Sequence, residues 1–247
     1  MRLHFVVEGQ TEETFVRDLL RAELALQGIF CDVHRVTTGG RGAKVYRGGL
    51  LLFQHLRKDL ELWMKQDSGR DSWFTTMVDL YRLPSDSPGV AASRRIVDPI
   101  DKVEFLEERF SSNVHHQRFI PFVQLHEFEA LLFSDPQCFS IAFPSVGTEV
   151  AELEAIRRQF KSPEHIDEGD PPSKRICKLL PQYVKPVSGP LIAKHIGLAK
   201  LRAECQHFNK WLKRLEEAHQ AGLAPQGGAR GIRPSAATRQ IKKDQDK

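Results

Sequence analysis

Short apolar runs that end on an acidic residue alternate with amphipathic stretches through the first half of this chain. Leu3 to Val7 is apolar apart from His4 and runs into Glu8, and Trp73 to Val78 runs into Asp79. Arg118 to Leu125 leads through His126 to Glu127 and Glu129. With a further strand predicted at Ile29 to Val36, and helices at about Thr11 to Leu26, Leu50 to Met64 and Asp98 to Phe110, the order is βαβαβαβ. That alternation favours a mostly parallel sheet flanked by helices. Phe15, Leu19, Ala22 and Leu26 recur at helical spacing, Thr11 is placed to cap the first helix, and Glu12 and Glu13 complement its dipole. From Glu127 onward the pattern is helical and punctuated by prolines, at about 127–133, 149–160, 173–181, 188–197 and 207–217.

The expected organisation is therefore an α/β domain over 1–135, a helical part over 136–217 packed on it, and a disordered tail over 218–247. Residues 220–247 hold six cations and two anions, and the remainder carries equal numbers of each sign. The net charge of +4 thus lies in a Gly-, Ala- and Pro-rich end and says little about the body as a polyanion binder. No apolar stretch is long enough to span a bilayer, and the N-terminus lacks a signal-peptide layout. A cytoplasmic protein with no membrane association is expected. Cys31, Cys138, Cys177 and Cys205 form no CxxC pair, which argues against a closed zinc site.

In open parallel sheets, ligands gather at the carboxyl ends of the strands, where Glu8, Asp79, Glu127 and Glu129 all fall. Two carboxylates about 4 Å apart repel by about 4 kcal/mol at an effective dielectric near 20, so clustering them calls for protons or a cation. Oxygen ligands without cysteine favour Mg²⁺ or Mn²⁺. The competing reading makes these residues strand-closing polar groups or helix caps. His126 is placed either to orient a carboxylate and shuttle protons or to serve as a buried structural histidine. Lys174 and Arg175, in the first turn of a predicted helix, are candidates to clamp a phosphate or to pair with Asp167, Glu168 or Asp170. Arg41 and Lys44 lie in a glycine-rich connection that is open to a phosphate but does not fit a P-loop.

Four ordered blocks carry a resemblance: Val7-Glu8-Gly9-Gln10-Thr11-Glu12-Glu13-Thr14-Phe15, Met77-Val78-Asp79-Leu80-Tyr81-Arg82-Leu83-Pro84, His126-Glu127-Phe128-Glu129-Ala130-Leu131-Leu132-Phe133 and Pro172-Ser173-Lys174-Arg175-Ile176. The chain resembles the bacterial domain-of-unknown-function family 4276 (DUF4276), itself similar to Toprim modules of topoisomerases, primases and overcoming-lysogenization-defect nucleases. The resemblance implies a Toprim-like, Rossmann-like sheet and a Mg²⁺- or Mn²⁺-dependent nuclease cleaving DNA or RNA. It also implies an ATPase encoded nearby as partner, in a phage-defence setting. Glu8 matches the Toprim glutamate, and Glu8, Asp79 and Glu127 are the expected metal ligands. Tyr81 stands where Toprim domains carry a second aspartate. Asp86, Glu127 or Glu129 would then have to supply the missing oxygen, and the alternative is a non-catalytic adaptor that binds the ATPase or nucleic acid.

Overall fold

The structure, a computed structural model, describes residues 1–41, 44–47, 52–167 and 169–223, without the side chains of 38–41 and 44–47. Strand β1 (Arg2–Val7) leads to one long helical stretch: α1 (Gln10–Phe15), a π-helical turn (Val16–Leu20) and α2 (Arg21–Ala25). Strand β2 (Phe30–Arg35) pairs in parallel with β1. The chain then makes a small antiparallel hairpin, β3 (Thr37–Arg41) with β4 (Lys44–Arg47), where an irregular connection was expected. Residues 42 and 43 of the glycine-rich segment lie outside the described residues, as do the side chains of Arg41 and Lys44. Helix α3 (Phe53–Gln66) returns the chain to β5 (Ser72–Asp79), on the opposite side of β1 from β2.

Helices α4 (Val90–Ser93) and α5 (Pro99–Val114) precede β6 (Phe119–Ile120) and β7 (Val123–Gln124), both parallel to β5. The sheet order is β2-β1-β5-β6, with β7 continuing on β5. This is the expected mostly parallel α/β sheet. Alternation along β1 sends Leu3, Phe5 and Val7 to one face and Val6 to the other, and each face has its own apolar layer. Helices α3 and α5 cover the Val6 face, through Leu56, Leu60, Val103 and Phe110.

The fourth strand, expected as continuous over 118–125, is two short pieces because Pro121 has no N–H to give the ladder. Threonine hydroxyls bridge the gap. Thr75 Oγ1 donates to the Ile120 carbonyl at 2.6 Å, and Thr76 Oγ1 accepts from the Phe122 N–H at 3.0 Å. The register survives, so Asp79 pairs with Gln124 at the end of β7.

The helical part comprises α6 (Phe139–Ala142), α7 (Gly147–Arg158), α8 (Pro172–Leu179), α9 (Lys185–Ile196), α10 (Leu198–Glu204) and α11 (Gln206–Leu223). The 127–133 stretch is a 3₁₀ run, Phe128–Ser134, rather than an α-helix. These elements share the β1 core: Ile176, Ile192, Leu201, Phe208 and Leu215 pack with Phe5, Phe15 and Phe128. Trp211 Nε1 donates to Thr75 Oγ1 at 3.0 Å, fixing α11 to the central strand. Buried Glu164 caps α11 from a distance, accepting the backbone N–H groups of His207 and Phe208 at 3.0 and 2.9 Å. Helix α11 runs to Leu223, past the expected end at 217, and residues 224–247 lie outside the described residues. No helix among the described residues is long and apolar enough to cross a membrane.

Candidate functional site

The path from β1 out to β2 and back to β5 on the other side makes a topological switch point between β1 and β5. Glu8 and Asp79 lie at the carboxyl ends of these two strands, and both are buried. Glu8 Oε2 accepts the Asp79 backbone N–H at 3.3 Å, and the Arg82 guanidinium stands 3.8 Å from Glu8 Oε1.

By sequence, Thr11 is placed to cap the helix and Glu12 to complement its dipole. Instead Gly9 is the N-cap, and its N–H donates to Glu12 Oε2 at 2.9 Å, folding the Glu12 carboxylate back into the site. A Cβ on Gly9 would sit 3.1 Å from that oxygen, so glycine permits the close approach. Glu12 is therefore a fifth buried carboxylate, which no local signal separates from a capping residue.

Glu127 and Glu129, also buried, come in from the end of β7. Glu127 Oε2 accepts the Ser173 N–H at 3.0 Å, in the first turn of α8. Lys185, at the start of α9, reaches both: its Nζ stands 3.5 Å from Glu127 Oε1 and donates to Glu129 Oε2 at 3.1 Å. Tyr183 donates its hydroxyl to Glu129 Oε1 at 3.2 Å. Neither Lys185 nor Tyr183 was marked by sequence, because nothing near them in the chain hints at a carboxylate more than fifty residues away.

The electrostatics follow from burial and crowding. Burial, reinforced by Glu12, Glu8, Glu129 and Glu127, pushes Asp79 well above the usual carboxylate range. Burial, with Glu8 and Glu129 adding to it, pushes Glu12 up to about 7. Glu129 is raised by burial against the opposing pull of Lys185. Burial works against the Lys185 ammonium, but Glu129 and Glu127 outweigh it and raise its pKa. Asp79 Oδ1 is buried with no hydrogen-bond partner. Five carboxylates thus share one neighbourhood in which Lys185 is the cation bridging Glu127 and Glu129. The all-oxygen donor set and the orphaned Asp79 oxygen suit a hard divalent ion. Among the described residues, however, no three His, Cys, Asp or Glu side chains are already poised around one point to hold a metal. Side-chain rearrangement would have to accompany binding.

Lys185→Met should destabilise the protein by about 2 kcal/mol at pH 7.5, the usual loss for a broken buried pair being reduced because Lys185 is one-third exposed. The loss should shrink on lowering the pH to 5, because burial raises the Glu129 pKa and favours its protonated form. Thermal unfolding at the two pH values measures it, and an equal loss at both would refute the bridging role.

The remaining predicted residues lie elsewhere or are otherwise engaged. His126, in a left-handed backbone conformation at φ 61°, donates from Nε2 to the Glu164 carbonyl at 3.1 Å. The carboxylate its Nδ1 faces is Asp167, at 3.7 Å. Lys174 pairs with Asp170, while Arg175 donates to the Asp170 carbonyl and lies over the Phe160 ring. Asp86 accepts the Phe53 N–H at the start of α3.

The profile of the family described as "Domain of unknown function (DUF4276)" matches residues 7–216. Among solved structures, the chain is similar to the C-terminal region of the OLD protein of Xanthomonas campestris pv. campestris, at 14% identity and TM-score 0.43, over 90% of this chain and 97% of that one. It is similar also to the C-terminal region of the Burkholderia pseudomallei OLD protein, at 14% identity and TM-score 0.44, over 88% and 98%. No curated protein matches the chain.

Proposed function

The chain belongs to the DUF4276 family, and from that premise we propose that it is a metal-dependent phosphodiester hydrolase acting on DNA or RNA. One observation carries this reading: buried Glu8, Glu12, Asp79, Glu127 and Glu129 meet at the strand ends, with Asp79 pushed toward protonation and one of its oxygens unbonded. Structural roles alone leave that arrangement unfavourable, because a cap or strand-closing residue is better placed at the surface. Asp79, Glu8 and Glu127 would hold Mg²⁺ or Mn²⁺, with Glu12 and Glu129 beside them. Such an ion polarises a phosphoryl oxygen and lowers the pKa of an attacking water. Glu12, whose carboxylate folds back into the site on the Gly9 N–H, would be the carboxylate placed to exchange a proton with that water. Lys185 would hold Glu127 and Glu129 in place. We assign the protein the effector role beside an ATPase in phage defence, in the cytoplasm, on the family resemblance.

The test is cleavage of end-labelled single-stranded DNA, duplex DNA and RNA by purified protein in Mn²⁺ or Mg²⁺, alone and with the neighbouring ATPase. Products should form with metal and not with EDTA, and Mn²⁺ titration should give heat. Intact nucleic acids under every condition, or no heat of binding, would overturn the proposal. A second reading, a non-catalytic adaptor, is favoured by one observation: Tyr81 occupies the second aspartate position and supplies no carboxylate.

A further inference from the structure

A cleft of about 610 Å³ opens beside the carboxylates, within the size range of small-ligand sites. Its lining includes Leu80 and Tyr81, which directly follow Asp79, and His126, which directly precedes Glu127. The Tyr81 N–H donates to the His126 carbonyl at 3.1 Å, so cleft and carboxylates hang from the same two strand ends. Three features of the cleft are otherwise unexplained.

The first is charge. Arg94, Lys102 and Lys161 line the cleft, and none of them forms an ion pair with another described residue. The second is apolar surface: the Tyr81 ring is 40% exposed and Val97 is 93% exposed, both facing this space. The third is a buried acceptor. His126 Nε2 must donate, since its partner is a carbonyl, so the neutral ring carries its lone pair on Nδ1. Nδ1 is buried without a hydrogen-bond partner, and Asp167 Oδ2 stands 3.7 Å from it. A buried acceptor without a partner calls for a donor.

We propose that this cleft binds one ribonucleotide unit of an RNA strand: the base lies against Tyr81, the ribose 2′-hydroxyl donates to His126 Nδ1, and the phosphate meets Arg94, Lys102 and Lys161. The three features match the three parts of a nucleotide. A free anion would leave Tyr81 and the His126 acceptor unused, and an apolar ligand would leave the cations and His126 unused. The assignment gives Tyr81 a positive role where the Toprim pattern has an aspartate. It rests on the nucleic-acid reading above, and adds where a nucleotide next to the cleaved bond sits.

Binding in EDTA separates the two claims, because the cleft needs no metal. Adenosine monophosphate, inorganic phosphate and a fluorescein-labelled single-stranded octaribonucleotide are titrated by calorimetry or anisotropy. The nucleotide and the octaribonucleotide should bind the wild type, and Tyr81→Ala and the Lys102→Ala/Lys161→Ala pair should each weaken both by about tenfold or more. These side chains are at least partly solvent-exposed, so the variants should fold. No binding of either probe, binding undiminished in the variants, or phosphate binding as tightly as the nucleotide would overturn the proposal. Binding without cleavage in Mn²⁺ would support the cleft and overturn the hydrolase. Cleavage by a protein whose Tyr81→Ala and lysine variants bind like the wild type would do the reverse.

Discussion

Asp79→Asn is expected to abolish metal-dependent cleavage, by about 10³-fold or more, while making the metal-free protein more stable at pH 7.5. The two effects have one cause. Asp79 ends the central strand at the switch point, is buried, and is held above the usual carboxylate range by burial and by four neighbouring carboxylates. Without metal, its charge is unfavourable and one of its oxygens is unbonded. Asparagine keeps the shape and removes the charge, so the repulsion is relieved by about 1–3 kcal/mol. The proposed ligand with the unbonded oxygen is lost at the same time. Oligonucleotide cleavage in Mn²⁺ and urea unfolding in EDTA read the two effects on one preparation. An adaptor with no catalytic site predicts the stability gain without any cleavage to lose. A variant that is both inactive and less stable would show that Asp79 is a structural residue, and the site would have to be reassigned.

Much of this site was legible in the sequence because strand and acid were adjacent. Leu3 to Val7 had to be buried, so the next residue had to emerge at the strand's end, and the same holds for Asp79. What sequence misplaced are residues whose role is set by packing. Glu12 has a sufficient local explanation as a helix-start acid, and only the Gly9 turn and the packing of α9 against α1 bury it. Lys185 and Tyr183 reach Glu129 because α9 closes on the sheet from more than fifty residues away. His126 follows a strand, yet its left-handed backbone turns it toward Glu164 and Asp167, a conformation periodicity does not report. The break at Pro121 was readable, since proline has no N–H to give the ladder with β5, while the Thr76 hydroxyl holds the two pieces in one register. Lys174 and Arg175 were the reverse case: Asp170, just upstream, was visible all along, and its carboxylate pairs with Lys174 while its backbone carbonyl accepts from Arg175.

Glu12→Gln should produce a pH-dependent gain in stability that no surface substitution would. In the folded metal-free protein Glu12 titrates at about 7, against 4.5 for the unperturbed side chain. Between those values the folded state holds a proton that the unfolded chain has released, so Glu12 makes stability fall as pH rises from about 4.5 to 7. Above 7 the penalty is complete, at about 3 kcal/mol from the size of the shift. Glutamine has no proton to lose, and its side-chain oxygen can still accept the Gly9 N–H. The variant should therefore exceed the wild type by about 2–3 kcal/mol at pH 8 and by under about 1 kcal/mol at pH 5. The wild-type curve alone would not reveal this, because His126 opposes it. With its pKa lowered to about 4 by burial, His126 contributes stability that is lost as pH falls from about 6.5 toward 4. The difference between the two proteins cancels that contribution. Urea midpoints at pH 5, 6, 7 and 8 in EDTA give the comparison, and a gap that does not widen with pH would remove Glu12 from the buried cluster. Mn²⁺ at pH 8 should stabilise the wild type more than the variant, because a cation relieves the repulsion that glutamine has already removed.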